Sequence, residues 1–186
     1  MTLTQAILPQ SSRLQQVLLV LAGTALIALA ARVSIGWPVP MTLQTLAILV
    51  VGFSYGARLA TVTLLTYLAQ GAAGLPVFAG GGAGIGYMMG ATGGFLLGFV
   101  FMALIAGLAA DAGATKRFLP TAGAALVASV LIYVPGLAWA AGMLGKGWSE
   151  LWQSWMAPFL MGDAIKAVIA ALLVTGIWAG MRGRKA

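Results

Sequence analysis

The chain has 186 residues, 61% of them hydrophobic and 7% charged, with a mean hydropathy of +1.02. Such a composition cannot coat a water-soluble domain and places the chain in a lipid bilayer. Ten Lys and Arg against three Asp and Glu leave a net charge of +7, too few charges for the cationic stripe that nucleic acid requires, and the absence of Cys and His removes disulfides, thiol nucleophiles, zinc and haem sites and His-based acid–base catalysis.

A membrane helix takes about 20 apolar residues, so a chain of this length holds about six with short connections and no second domain. A barrel would alternate apolar and polar residues in segments of about ten, whereas these runs are apolar on every side. The expectation is an all-α membrane protein, a single six-helix transmembrane bundle with spans at about 14–35, 42–55, 58–76, 87–110, 121–144 and 158–181.

Residues Met1 to Arg13 read as a polar tail. The first span is retained as structure, being too long for a removed signal peptide and lacking its small-residue cleavage context. It gives way to Trp37, Pro38, Val39 and Pro40, where two nearby prolines forbid a continuous helix; Trp37, in this loop, is placed to close over a ligand. A second, short span ends at Gly56 and Arg58. No charge occurs from Leu59 to Ala110, too long a stretch for one crossing, and the glycine-rich run from Gly71 to Phe95 marks its reversal. Packing accounts for Gly93, Gly94 and Gly98, whereas Gly80 to Gly84 suit a close approach of backbone to a ligand. No phosphate-loop pattern is present. After the fifth span, Gly145 to Ala157 reads as an interfacial connection whose tryptophans 148, 152 and 155 sit at headgroup level.

Basic residues flanking short loops stay on the cytoplasmic side. Six spans put Arg13, Arg58, Lys116, Arg117, Arg182, Arg184 and Lys185 on one side and Arg32 and Lys146 on the other, so both termini are expected to be cytoplasmic. Lys166 stands apart, three residues after Asp163 inside the last span. Residues at i and i+3 share a helix face, and ionised groups in a span cost about 2.5 to 3.5 kcal/mol each at its centre. Two readings stay open: a pair that neutralises itself, or a site in which Asp163 accepts N–H groups of a small polar ring while Lys166 donates to a carbonyl or carboxylate.

The strings VPMTLQTLAIL (39–49), GAAGLPVFAGGGAG (71–84), GATGGFLLGF (90–99) and APFLMGDAIK (157–166), in this order and spacing, resemble those of BioY, the biotin-specific substrate-capture subunit of energy-coupling-factor transporters. The resemblance implies a six-helix fold in a bacterial inner membrane with a biotin pocket near the outer surface, covered by the loop after the first span. It further implies contacts of Asp163 and Lys166 with the polar end of biotin, with Gly80, Gly81, Gln44 and Thr42 at matching motif positions. The family's G-P-T-G-G-Y pattern here has Ala91 for the proline and Phe95 for the tyrosine, which removes a phenol donor at the pocket, and Met161 stands where a second proline is common.

No ATP-binding motif occurs in the chain, which is expected to need no cofactor of its own. The resemblance implies a transmembrane coupling protein and cytoplasmic ATPase subunits as partners; self-association stays open. Thr24 and Ala28, a small-x-x-x-small pair on the first span, suit either a partner helix or internal packing. The remaining alternatives are a capture subunit for another vitamin and, fitting less well, a membrane-embedded enzyme.

Overall fold

In the computed structural model the described residues are 1–35 and 40–183, so Trp37, Arg184 and Lys185 lie outside them. Backbone in hydrocarbon must satisfy its own hydrogen bonds, and the chain does so as helices. They are α1 (Leu3–Ile7), α2 (Arg13–Arg32), α3 (Gln44–Tyr55), α4 (Ala57–Ala72), α5 (Gly84–Met88), α6 (Gly93–Asp111), α7 (Phe118–Leu131), α8 (Tyr133–Leu144), α9 (Trp148–Glu150) and α10 (Ala157–Gly183). A two-residue antiparallel ribbon, β1 (Ser34–Ile35) and β2 (Met41–Thr42), brackets the loop after α2, with Ser34 opposite Thr42. Among the described residues, four helical stretches have the length and hydropathy to cross a membrane: Arg13–Arg32, Gly93–Asp111, Phe118–Leu144 and Trp148–Gly183. The two remaining expected spans hold the shorter helices α3 and α4.

Several boundaries depart from expectation for identifiable reasons. The N-terminal segment is not a loose tail: Thr2 and Gln5 form a reciprocal capping box around α1, Leu3 is buried, and the Thr4 hydroxyl donates to the Ser54 carbonyl at the end of α3. The break at Ile132 between α7 and α8 precedes Pro135, whose ring would collide with the carbonyl four residues back in an unbroken helix. The segment 145–157, expected as an interfacial connection, is largely helical. Trp148–Gly183 forms one helical stretch, with a π-helical turn at Leu151–Met156 immediately before Pro158. Widening the helix there accommodates a residue with no N–H to give. Trp148 and Trp152 are exposed, whereas Trp155 is 1% exposed and turned into the bundle.

Helix α6 is the hub, in contact with α3, α4, α7 and α8. Glycines permit these approaches. A Cβ on Gly52 would lie 2.6 Å from that of Ala106, and one on Gly107 would lie 2.4 Å from the backbone of Ala57. Gly94 and Gly98 abut the backbone of Pro135 and Ile132, and Gly93 faces the Met88 carbonyl, the packing role expected of all three. Ile48, Leu49, Phe53, Leu64, Met102 and Val174 are fully buried between the helices.

On α2 the inward stripe is Val20, Gly23, Thr24, Ile27 and Ala31. Thr24 is 3% exposed and its hydroxyl donates to the Leu21 carbonyl. Ala28 is partly buried against the same core.

Candidate ligand-binding site

The buried face of α10 runs Asp163, Lys166, Ala167, Ala170, Ala171, Val174 and Trp178, steps of three and four residues that hold one helical face toward the core. Asp163 and Lys166 therefore point inward, 5% and 8% exposed. Their ion pair is 2.8 Å long. A buried charge must be both paired and hydrogen-bonded to be tolerated, and three other elements supply the bonds. Tyr133 of α8 donates to Asp163 Oδ2 at 2.6 Å, Thr45 of α3 donates to Oδ1 at 3.3 Å, and Lys166 donates to the Thr42 carbonyl of β2 at 3.1 Å.

This cluster forms the polar wall of a partly open cavity between β2, α3, α6, α8 and α10. Phe95, Leu96, Phe99, Ile132 and Phe159 make its apolar walls, and Ala79 and Tyr87 reach it from the glycine loop. Phe95 packs edge-on against Tyr133, ring centres 6.0 Å apart. A carboxylate offers about four acceptor positions and an ammonium three donors; the bonds above leave one of each unused. The cavity thus presents an anion, a cation and a phenol oxygen to one end of a guest and hydrocarbon to the rest.

Most of the expected residues converge here. Asp163, Lys166, Gln44, Thr42 and Phe95 all line the cavity, and the Asp–Lys pair is a mutual ion pair on its wall. Gln44 lies 3% exposed; its amide donates to Tyr67 at 2.8 Å and its carbonyl accepts from the Thr42 hydroxyl at 3.0 Å. Gly80 and Gly81 are not among the lining residues. Both have positive φ, 64° and 83°, a region glycine enters without strain, and the turn they make carries Ala79 to the cavity. Gly81 also leaves room for Arg32, whose guanidinium donates to the Pro76 carbonyl at 2.7 Å. Trp37 lies outside the described residues.

Tyr133, Thr45, Tyr87 and Phe159 were not singled out from sequence. Tyr133 had one available signal, a lone phenol within the apolar run Ala122 to Leu137. Thr45 adjoins Gln44, yet nothing local tells which of the two hydroxyls near it meets a carboxylate on another helix.

All four sequence strings meet at this one cavity, contributing Thr42, Gln44 and Thr45 from the first, Ala79 from the second, Thr92, Phe95, Leu96 and Phe99 from the third, and Phe159, Asp163 and Lys166 from the fourth. The BioY family model matches residues 4–183. This chain belongs to the BioY family. The probable biotin transporter BioY of Pyrococcus horikoshii is 34% identical over 161 residues, 86% of this chain and 93% of that protein. The biotin transporter BioY of Rhizobium etli is 33% identical over 156 residues, 80% of this chain and 83% of the relative. Among solved structures, the S-component for biotin from an ECF-type ABC transporter superposes with a TM-score of 0.71 at 26% identity, covering 95% of both chains. In this BioY-family chain Phe95, one of the departures, packs against Tyr133, whose phenol meets the Asp163 carboxylate from α8.

Proposed function

We propose that this chain is the membrane-embedded capture subunit of a biotin uptake system, binding biotin in the cavity between β2, α3, α6, α8 and α10. It carries substrate and catalyses no reaction on it. Family membership across residues 4–183 and the structural likeness to a biotin S-component support this reading. The observation that carries it furthest is the buried Asp163–Lys166 pair on the wall of an otherwise apolar cavity.

The chemistry is complementary. Biotin has two ureido N–H groups and a carbonyl on a fused, largely apolar ring system, with an anionic tail. Asp163 accepts a ureido N–H, Lys166 donates to a carbonyl or carboxylate oxygen, and Phe95, Phe99 and Phe159 pack on the apolar rings. A guest lacking those groups strands buried polar atoms, at about 1 to 3 kcal/mol each, and is rejected on that account.

In this reading the bundle crosses the inner membrane of a bacterium six times, α3 and α4 serving as the second and third crossings, with both termini in the cytoplasm and the cavity toward the outer face. The chain needs no cofactor of its own. A transmembrane coupling protein and cytoplasmic ATPase subunits supply the energy for uphill uptake. Labelled biotin bound to the purified protein, challenged with excess unlabelled vitamins, tests the assignment. Biotin is expected to displace the label while thiamine and riboflavin leave it in place. Displacement by another vitamin at lower concentration than biotin would reassign the substrate.

A further inference from the structure

The polar wall of the cavity continues away from it through a residue that does not touch it. Tyr67 on α4 is fully buried and absent from the cavity lining. Its hydroxyl donates to the Val77 carbonyl at 2.8 Å and accepts from the Gln44 amide at 2.8 Å. Gln44 accepts from the Thr42 hydroxyl at 3.0 Å, and the Thr42 carbonyl accepts from Lys166 at 3.1 Å. A chain of hydrogen bonds, linked through the covalent frame of Thr42, therefore joins the loop after α4 to the cation of the Asp163–Lys166 pair.

The loop end of this chain is built to hold position. Phe78 is fully buried, seated over Gly71, where a Cβ would come 1.9 Å from its ring. It packs edge-on against Tyr67, centres 5.6 Å apart, and stacks on Tyr87 at 5.2 Å. Tyr87 and Ala79 in turn face the cavity. Tyr67 thus meets the loop twice, by its ring through Phe78 and by its hydroxyl through Val77, while its hydroxyl alone reaches the limb that carries Thr42.

We infer that Tyr67 is a positioning residue for ligand retention, locking the Val77–Gly82 loop to the Thr42–Lys166 limb so that the two sides of the cavity open together or not at all. The inference rests on the reading of the cavity as the biotin site. Buried polar groups that satisfy one another act as a unit, and cutting any one link strands its neighbours. Release of a guest requires the walls to part, so the hydroxyl acts on dissociation more than on entry.

The test uses the full chain in nanodiscs. Tyr67→Phe keeps the ring contact with Phe78 and removes only the hydroxyl. It is expected to speed biotin dissociation roughly tenfold with association changed by less than about twofold. Gln44→Leu cuts the same chain one link on, so the double variant releases biotin no faster than the faster single variant. Tyr55→Phe is the structural control: it removes a comparable hydrogen bond, to the Leu19 carbonyl at 2.9 Å, from a residue that does not line the cavity.

A second readout needs no ligand. The amides of Phe78, Gly81 and Gly82 close the loop on itself and should exchange hydrogen roughly tenfold faster in Tyr67→Phe than in Tyr55→Phe or the wild type. Dissociation within about twofold of wild type, rate effects of Tyr67→Phe and Gln44→Leu that multiply, or the same acceleration from Tyr55→Phe would overturn the inference. Failure of the wild type to bind biotin would instead sink the substrate assignment, and the exchange measurement then decides the coupling: faster loop exchange in Tyr67→Phe alone sustains it, equal exchange ends it.

Discussion

Tyr133 shows what one side chain contributes to holding a charge inside the bundle. Its hydroxyl donates to Asp163 Oδ2 at 2.6 Å and is the only side-chain donor to that oxygen among the described residues. Tyr133→Phe leaves Oδ2 desolvated and unmet, so biotin affinity should fall by about 1 to 3 kcal/mol, measured by equilibrium binding; an unchanged affinity would mean that the phenol is dispensable to the site. Asp163 and Lys166 were legible in the sequence because ionised residues in an apolar run are conspicuous and their spacing fixes a shared face. Tyr133 and Tyr67 were not, since a phenol in a membrane span is unremarkable until its partner is known, and the partners lie 30 and 23 residues away. The burial of Trp155 was not legible either, since tryptophans near a span suggest an interface and the π-helical turn before Pro158 is a feature of the fold.

Among the helices, α6 sets the tolerances. Its glycines were read as packing residues, and the contacts at Gly93, Gly94 and Gly98 bear this out, but which helices they meet could not be read from one strand of sequence. Gly107 presses against the start of α4, where Asp111 also accepts the Ala57 amide at 3.0 Å, so the C-terminal end of α6 and the N-terminal end of α4 form a single joint. Gly107→Val places a side chain where the Ala57 backbone already stands and is expected to destabilise the protein by about 1 to 3 kcal/mol, seen as a lowered thermal midpoint in detergent. Gly123→Ala on α7 meets nothing within 4 Å and should be neutral or stabilising by up to about 1 kcal/mol. Equal losses from the two would show that close helix approach is not what these glycines provide.

For the whole molecule, the proposed topology is a statement about where the basic residues lie. Arg13 and Arg58 line one recess with Asp111, and Lys116, Arg117 and Arg182 line another beside the end of α6, whereas Arg32 meets Pro76 near the glycine loop and Lys146 pairs with Glu150. A 20-residue helix such as α2 is about 30 Å long, enough in the proposed topology to set Arg13 and Arg32 at opposite membrane faces. The chain has no native cysteine, so single substitutions report cleanly. In intact cells Lys146→Cys should react with an impermeant maleimide, and Arg117→Cys only after permeabilisation; the reverse pattern would invert the proposed topology.

Membership in a biotin transporter family and the placement of the Asp163–Lys166 pair meet in one experiment, equilibrium binding of labelled biotin to the purified wild type, Asp163→Asn and Lys166→Ala proteins. Tight binding by the wild type and a loss of at least about tenfold in each variant, the worth of one charge-assisted hydrogen bond, is the predicted result. Wild-type affinity in both variants would contradict the assignment of the cavity.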